Sequence, residues 1–290
     1  MPHRSVWRAT LLVALAACGF GSISTLMVLA HREGLTLAGA MAWRYLVAAP
    51  FLLLIAGRGL RDLTWARGAT LFVLGGLGQV AISGISLYAL TWLDVATLGF
   101  LFYTFPAWVA VISAARGLER VDRRKLIALT LALVGLAVII GAPRAGSLPA
   151  AGVACALGAA VIYAAYIPLL HWMRGPLSAS AASALVIAGA GVAYALGALA
   201  RGEFHALGGS GALIIGALAL VCTVMTFIAF LNGLAVLGPV RTAIISTIEP
   251  FYTTVLGAIV LRQPVGPGTV VGGAMIAAAV LLLQRRPKSA

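Results

Sequence analysis

The residues most able to do chemistry are a glutamate and a proline in the middle of an apolar run. Glu249 is followed directly by Pro250, within the stretch from Ala243 to Thr254. A charged side chain at the centre of a membrane helix is costly, so Glu249 is a candidate for binding a substrate or a proton. A carboxylate just before proline also accepts hydrogen bonds from the amides that begin the next helical segment. The functional role and the capping role therefore both stay open.

A second apolar run carries a proline at an equivalent place. Pro106 lies 144 residues before Pro250. Proline in a helix removes one amide donor and clashes with the carbonyl four residues earlier, which predicts freed carbonyls at Phe102 and Ser246. Freed carbonyls are tolerated in a membrane where they face neighbouring helices, hydroxyl groups or water. One kink alone is explained by packing, whereas two matched kinks favour a cavity between the two runs.

Aromatic and polar side chains are concentrated around these prolines. Tyr163 and Tyr166 are three residues apart and share one helix face. Gln79 and Ser83, four apart, form the clearest polar stripe at the same depth. Aromatic rings would hold an apolar or aromatic moiety, and the polar groups would meet the polar end of a substrate. We therefore expect seven side chains to bind a substrate: Gln79, Ser83, Phe102, Tyr103, Tyr163, Tyr166 and Ser246.

Arg44 is the one basic residue that is a candidate for midplane depth, and it lies near the outer end of the second predicted span. Its long side chain can snorkel to the lipid headgroups. It can also turn inward, towards Glu249 or a substrate carboxylate, and the sequence does not decide between these directions. A multiply anionic substrate would need several Lys or Arg residues at midplane depth. We therefore expect a neutral, zwitterionic or amphipathic substrate.

The elements that position these residues are apolar helices. Hydrophobic residues make up 62% of the 290 residues and charged residues only 9%, against roughly 25% charged residues in soluble domains. Runs of about 20 apolar residues are long enough to cross a bilayer as helices. Ten such spans are predicted, at 7–30, 38–57, 69–91, 95–115, 125–141, 150–172, 178–200, 210–232, 239–261 and 267–284. The fold class is therefore all-α integral membrane, with no sizeable aqueous domain.

The distribution of basic residues predicts the orientation of the spans. With the N-terminus inside, fifteen Lys and Arg residues lie on the cytoplasmic side, against Arg32, Arg144, Arg201 and Arg262 outside. Because Lys and Arg accumulate in cytoplasmic loops, both termini are predicted to be cytoplasmic. The formal charge of +13 is explained in the same way and does not indicate nucleic-acid binding.

The offset of 144 residues extends beyond the two prolines. Six identities, including Leu93 and Val111, occur in the 34 aligned positions from 88 to 121. Since 144 residues hold five spans, an odd number, the second half enters the membrane from the opposite face. We therefore expect two inverted five-helix repeats, residues 1–145 and 146–290. This plan recurs among secondary transporters, with the substrate near the midplane at the repeat interface.

Other classes of function have little support in the sequence. There is no phosphate-binding loop, no HExxH and no Cys/His cluster, so no catalytic residue, metal or cofactor is expected. A membrane-embedded enzyme would need an acid, base or nucleophile beside Glu249, and the sequence places none there. A lipid flippase or a membrane scaffold would use the same packing of small residues and is the alternative from a different class.

The glycine pair Gly268 and Gly272 forms a GxxxG motif in the tenth span. Such a motif lets helix backbones approach closely in lipid. It fits tight packing within one chain or a contact between two copies. The expected partners are therefore the lipid bilayer and a small-molecule substrate, with the chain as a monomer or a homodimer.

Together these features resemble the EamA-type members of the drug/metabolite transporter superfamily, over nearly the whole chain. The resemblance is carried by the ten-span layout, Arg44-Tyr-Leu in span 2, Pro106 with Glu119 at the end of span 4, and Ile248-Glu-Pro250 in span 9. The family usually has a second glutamate after span 9, where this chain has Gln263. Within the superfamily, Ile162-Tyr-Ala-Ala-Tyr166 of span 6 looks most like the YddG group of aromatic amino-acid exporters.

The resemblance implies a central cavity lined by spans 1, 3, 4, 6, 8 and 9, with spans 5 and 10 at the periphery. It also implies export of aromatic and other amino acids, or of other amphipathic metabolites or drugs. We expect a bacterial inner-membrane exporter whose repeats rock around a midplane cavity by alternating access. Pro106, Pro250, Glu249 and Arg44 are the residues expected to gate or couple transport. Proton antiport through Glu249 and facilitated diffusion both stay open.

Overall fold

The computed structural model describes residues 3–61, 63–89, 91–93, 95–141 and 149–284. Throughout these ranges the secondary structure is helical, without a strand. Eight helices are long and apolar enough to cross a membrane. Two further helices, Arg123–Ile140 and Pro267–Gln284, occupy the places of the predicted fifth and tenth spans. Arg144 and the basic residues after Gln284, which contributed to the predicted orientation, lie outside the described residues.

Six of the ten spans are single helices. These are spans 1, 2, 5, 6, 7 and 10, which run over His3–Arg32, Leu37–Ala56, Arg123–Ile140, Ala150–Arg174, Ala179–Ala200 and Pro267–Gln284. A short 3-10 turn, Gly57–Leu60, follows span 2. The predicted ends agree with these helices within a few residues.

Spans 3 and 8 each contain one π-helical turn, which we call the π turn of that span. Span 3 consists of Trp65–Thr70, the π turn Leu71–Gly75 and Gly76–Ala89. Span 8 consists of Gly209–Ala219, the π turn Leu220–Met225 and Thr226–Leu237. A π turn accommodates one extra residue within a helix and often occurs at functional sites. The third helix of each repeat therefore carries the same irregularity.

Spans 4 and 9 are each divided into two half-helices. Span 4 consists of Val95–Phe102 and Phe105–Ala115, and span 9 of Pro239–Ser246 and Ile248–Leu261. The interruptions correspond under the repeat offset, because Thr247 lies 144 residues after Tyr103. The fourth helix of each repeat is therefore broken at the same place.

Polar side chains fix where several spans begin. Thr36, Asp122 and Ser178 cap the starts of spans 2, 5 and 7, each accepting a hydrogen bond from the amide three residues later. Such caps satisfy amides that have no partner within the helix. Gly141, with φ of 84°, follows the end of span 5 in a conformation that favours glycine. These residues therefore define the ends of helices that follow one another closely along the chain.

The packing of the spans follows the repeat. Span 1 packs against spans 8 and 9, and span 6 packs against spans 3 and 4. Spans 2 and 7 pack on each other, and so do spans 5 and 10. The contacts of span 1 with spans 8 and 9 correspond to the contacts of span 6 with spans 3 and 4. The first helix of each repeat therefore packs between the third and fourth helices of the other repeat.

Glycines let spans 5 and 10 approach each other closely. A Cβ atom built on Gly272 would lie 2.2 Å from the carbonyl oxygen of Gly135, and one on Gly268 would lie 2.5 Å from that of Val138. Both glycines of the GxxxG motif therefore face span 5 of the same chain. In lipid, where apolar burial does not drive helix association, such close approach is a main source of it.

Spans 3 and 7 come closer still. A Cβ atom built on Gly189 would lie 1.8 Å from the carbonyl oxygen of Phe72, which belongs to the π turn of span 3. On the other side of this contact, a Cβ atom on Gly76 would lie 2.5 Å from the carbonyl carbon of Gly189. The two backbones therefore touch, and neither position has room for a side chain.

The outer surface of the helix bundle is apolar. Leu54, Leu213 and Ile259 are 79%, 78% and 73% exposed, respectively. Trp65 and Trp172 are also exposed, and they lie near span ends on the predicted cytoplasmic side, where tryptophan is enriched at membrane interfaces. Large exposed apolar side chains would be a liability in water. Their arrangement here fits a surface in contact with lipid.

Candidate functional site

A cavity of about 150 Å³ lies between the two repeats. It is lined by Phe20, Ile23, Gln79, Ile82, Phe102, Tyr163, Tyr166, Ile167, Leu170, Phe227, Phe230 and Glu249. These residues come from spans 1, 3, 4, 6, 8 and 9, the six spans that the resemblance implied. Spans 5 and 10 contribute no described residue to the lining.

A threonine hydroxyl bonds a carbonyl group at each of the two helix breaks beside the cavity. The Thr104 hydroxyl donates to the carbonyl oxygen of Leu101 at 2.6 Å, and in span 9 the Thr247 hydroxyl donates to that of Ile244 at 2.7 Å. The amides of Thr104 and Thr247 donate to the same two carbonyl oxygens. These are therefore not the carbonyls of Phe102 and Ser246 that the prolines were predicted to free.

Each of the two prolines lies just after a short interruption of its helix. Pro106 and Pro250 each lie in the first turn of the second half-helix. The amides of a first turn have no partner within the helix, so proline is tolerated there. Because proline has no amide hydrogen, helical hydrogen bonding is interrupted beside it. Thr104 and Thr247 keep right-handed helical backbone angles, so each span is interrupted at the place where the sequence predicts a proline kink.

Glu249 connects the two broken spans. It lies in the first turn of Ile248–Leu261, where the helix dipole favours a negative charge. Its carboxyl group accepts a hydrogen bond from the hydroxyl group of Tyr103 in span 4. Gly21 of span 1 leaves room for this helix, since a Cβ atom there would lie 3.0 Å from the Glu249 carbonyl oxygen. One carboxyl group is thus held at the interface between the repeats and faces the cavity.

Gln79 and Tyr166 form a second polar link at the cavity wall. The Tyr166 hydroxyl donates to the carbonyl oxygen of Gly75 at 2.7 Å, and the Gln79 side chain hydrogen-bonds the same hydroxyl. Gly75 is the last residue of the π turn in span 3. The Tyr166 ring fits over Gly78, where a Cβ atom would lie 2.4 Å from it. Span 6 is therefore fixed to span 3 by a backbone group that the π turn makes available.

Two groups of aromatic rings enclose the rest of the cavity. On one side, Phe102 stacks on Tyr163 with ring centres 5.6 Å apart. On the other side, Phe20 packs edge-on against Phe227 at 5.5 Å and against Phe230 at 5.9 Å. Ring faces carry a negative electrostatic potential. The cavity can therefore hold an apolar group or a cation between aromatic surfaces.

Three of the seven residues predicted to bind a substrate do not line this cavity. Tyr103 lies behind the wall and reaches Glu249. The Ser83 hydroxyl donates to the carbonyl oxygen of Gln79 at 2.9 Å and also contacts Tyr194 of span 7. Ser246 is buried, and its hydroxyl donates to the carbonyl oxygen of Thr242 at 3.0 Å. In this conformation the structure brings together Gln79, Phe102, Tyr163 and Tyr166.

Arg44 turns inward, but not towards the cavity. Its side chain is 2% exposed, which corrects the snorkelling alternative. Nε donates to the Thr223 hydroxyl at 2.7 Å and Nη2 to the Cys222 carbonyl oxygen at 3.3 Å. Both acceptors belong to the π turn of span 8. Within the described part of the chain, no carboxylate lies at ion-pair distance from Arg44.

We predict that Arg44→Ala destabilises the folded protein by about 2 kcal/mol, because a buried carbonyl and hydroxyl lose a charged donor. Arg44→Lys should recover only part of this loss, since an ammonium group lacks the planar fork of a guanidinium. Thermal unfolding in detergent measures the effect. The control is Arg201→Ala, whose side chain is 61% exposed and 3.4 Å from Glu203. An equal loss in both variants would contradict the prediction.

The rings that spans 1 and 8 contribute to the cavity were not among the residues predicted from the sequence. Phe20, Phe227 and Phe230 line the cavity but lie in predominantly apolar runs. Apolar periodicity does not separate a lipid-facing ring from a cavity-facing one. One signal was present, because Phe227 and Phe230 have the same three-residue spacing as Tyr163 and Tyr166.

A charged contact lies outside the cavity, on the predicted cytoplasmic side. Glu119, between spans 4 and 5, accepts from the amide of Val240 at 3.0 Å and from Nζ of Lys125 at 2.7 Å. Gly238 leaves room for it, since a Cβ atom there would lie 2.9 Å from the Glu119 carboxylate. We call this arrangement the Glu119 latch. It joins the end of span 4 in the first repeat to the start of span 9 in the second.

The repeat-equivalent residue does not form such a contact. Gln263 lies 144 residues after Glu119. A Cβ atom built on Gly257 of span 9 would lie 2.6 Å from the side-chain oxygen of Gln263. Gln263 therefore folds back on its own span. The two ends of the interface differ in charge, with a carboxylate at one end and an amide at the other.

Comparison with known proteins agrees with the duplicated fold. The model of the EamA-like transporter family matches residues 7–141 and again residues 150–285. No curated protein matches the chain. A solved crystal structure of another protein has a TM-score of 0.78 at 18% identity, covering 94% of this chain and 95% of the other. At this level of identity the similarity shows the fold alone.

Proposed function

Since this chain belongs to the EamA-like transporter family, we propose that it exports small neutral or zwitterionic metabolites, above all aromatic and other amino acids. It is a multi-pass membrane transporter and not an enzyme. In the proposal it works in a bacterial inner membrane, by alternating access of the two repeats around the cavity.

The observation that carries the proposal is the position of the cavity. It lies between the repeats and beside both helix breaks, and each repeat supplies about half of its lining. Helix breaks at a repeat interface are a recurring site of substrate binding in secondary transporters. Because breaks also act as hinges between rigid segments, the same residues can move the walls of the cavity.

An aromatic amino acid would use the cavity in a defined way. The ring would lie between Phe102 and Tyr163 on one side and Phe20 on the other. The ammonium group would approach Glu249, and the carboxylate would face the amide of Gln79. Most of the cavity wall is apolar, as in other small-molecule sites where a few polar groups fix orientation.

The direct test is uptake of labelled phenylalanine or tryptophan into proteoliposomes, with and without an imposed pH gradient. We expect saturable uptake that unlabelled aromatic amino acids compete away. A faster rate of uptake with the pH gradient would support proton antiport through Glu249. An unchanged rate would support facilitated diffusion. Absence of saturable uptake for any water-soluble solute, together with lipid transfer between leaflets, would instead favour a flippase.

We predict that Pro106→Ala and Pro250→Ala each reduce transport roughly threefold or more, because each removes the residue that breaks a mobile span at its hinge. The amount of folded protein in the membrane should fall less than the transport rate. Pro50→Ala is a control, since Pro50 lies inside the continuous helix of span 2. Wild-type transport rates in both hinge variants would contradict the hinge role.

A further inference from the structure

We propose that the cavity recognises its substrate through a protonated amino group, so that aromatic amines without a carboxylate bind at least as well as the corresponding amino acids. This inference rests on the proposed transport function and narrows its substrate class. It is drawn from the charges, the hydrogen bonds and the rings of the cavity.

The ionisable groups of the cavity lining favour a cationic ligand group. Glu249 is the one carboxyl group among the described lining residues, none of which is Lys, Arg or His. Arg44, a buried cation of the first repeat, is bound to Thr223 and Cys222 and is not part of the lining. A ligand carboxylate would therefore enter a cavity that already holds a carboxyl group and offers no Lys, Arg or His. A ligand ammonium group would stabilise the ionised form of Glu249 and pair with it.

The hydrogen-bond donors and acceptors of the lining favour the same kind of group. The Tyr166 hydroxyl donates to Gly75, the Gln79 side chain bonds Tyr166, and the Tyr103 hydroxyl donates to Glu249. The Tyr163 hydroxyl and the second N–H of the Gln79 amide are further donors of the lining. An ionised carboxyl group has two oxygens with about four acceptor positions, so Glu249 keeps acceptor capacity after binding Tyr103. These acceptor positions suit a donor-rich ammonium group.

The aromatic rings of the lining also favour a cationic group. Phe20, Phe102, Tyr163, Phe227 and Phe230 all line the same cavity as Glu249. A cation within about 6 Å of a ring face is attracted by the ring quadrupole, more strongly where water is excluded. The same rings also bind the apolar part of the ligand. At about 150 Å³, the cavity matches a group of the size of a benzene ring.

Three matched ligands separate the contributions of the amino group and the carboxylate to binding. Phenethylamine has the amino group alone, 3-phenylpropionate has the carboxylate alone, and phenylalanine has both. Binding is measured by ligand-induced thermal stabilisation of the purified full-length protein. Competition against uptake of labelled phenylalanine gives a second readout. We expect phenethylamine to bind and compete at least as well as phenylalanine, and 3-phenylpropionate to bind about tenfold more weakly or worse, which corresponds to one opposite-charge contact.

Glu249→Gln should weaken phenethylamine binding about tenfold or more, while Glu203→Gln, far from the cavity lining, should leave it unchanged. Tyr103→Phe gives an independent check in case the first variant does not fold. It frees one acceptor position of Glu249, so phenethylamine binding should be retained or strengthened. Loss of binding in this variant would count against the proposal.

Two results overturn the inference: binding of 3-phenylpropionate as tight as that of phenethylamine, or unchanged amine binding in Glu249→Gln. Its failure is distinguishable from failure of the proposed function. Uptake of phenylalanine without binding of phenethylamine would leave amino-acid export intact and refute amine recognition. Binding of phenethylamine without uptake of phenylalanine would leave amine recognition intact and refute amino-acid export.

Discussion

Replacing Glu119 with alanine should shift the transporter about tenfold or more towards conformations open to the predicted cytoplasmic side, because a hydrogen bond to a charged group contributes roughly 1.5–3 kcal/mol. The Glu119 latch joins span 4 of one repeat to span 9 of the other. If the repeats rock around the cavity, this contact must break when that side opens. Glu119→Gln should have a smaller effect, since an amide oxygen still accepts from Val240.

Labelling of a single cysteine measures this shift. In a variant with serine at the three native cysteines, Leu170→Cys places a thiol at the cavity wall, four residues before the end of span 6. An impermeant maleimide supplied from the cytoplasmic side should react about tenfold faster when Glu119→Ala is added. Glu203→Ala, which removes an exposed pair with Arg201, is the control. Equal labelling rates in all three proteins would refute the latch.

Replacing Gly189 with valine should destabilise the protein by about 3 kcal/mol or more, at the upper end of overpacking effects. The new Cβ atom would lie 1.8 Å from the carbonyl oxygen of Phe72. Backbone cannot move aside as a flexible side chain can, so spans 3 and 7 would have to separate. Since Phe72 lies in the π turn that binds Tyr166 through Gly75, we also expect transport to be lost.

The matched control is Gly197→Val, on the same helix. A Cβ atom there would have Nη2 of Arg201 at 3.9 Å as its nearest neighbour, which is an ordinary contact. Both substitutions change helix propensity in the same way, so the difference between them isolates the backbone contact. The measurements are thermal unfolding in detergent and the fraction of monodisperse protein. If both variants unfold at the same temperature, spans 3 and 7 do not touch as described.

The layout of the fold could be predicted from the sequence because membrane helices depend on simple properties. The length of apolar runs, the number of basic residues in loops and the 144-residue offset can all be read from the sequence without knowing which helices touch. They placed span 9 at 239–261, the ends that the structure shows as Pro239–Leu261. The π turns could not be predicted in this way. No side chain in Leu71–Gly75 marks the extra residue, which is stabilised by contacts from other spans.

The candidate site was less predictable, because it depends on which face of an apolar helix meets which neighbour. Tyr163 and Tyr166 were visible since aromatic hydroxyls are unusual in such helices. Phe20 has no polar atom and looked like any lipid-facing ring. The direction of Arg44 depended on carbonyl and hydroxyl groups of a span 179 residues away along the chain, which no local pattern records.

The two π turns have a consequence for insertions and deletions. Each turn is equivalent to one residue inserted into an α-helix, and one residue advances an α-helix by about 100°. The cavity-lining residues of spans 3 and 8, Gln79 and Ile82 in one and Phe227 and Phe230 in the other, all follow the π turn of their span. Because the π turn itself accommodates that residue, deleting one residue from either turn would restore a regular α-helix and leave these side chains facing the cavity. Deleting one residue from the α-helical turns that lead to them would instead rotate them by about 100°. Each span therefore tolerates a change of length at its π turn without changing the face that it presents to a substrate.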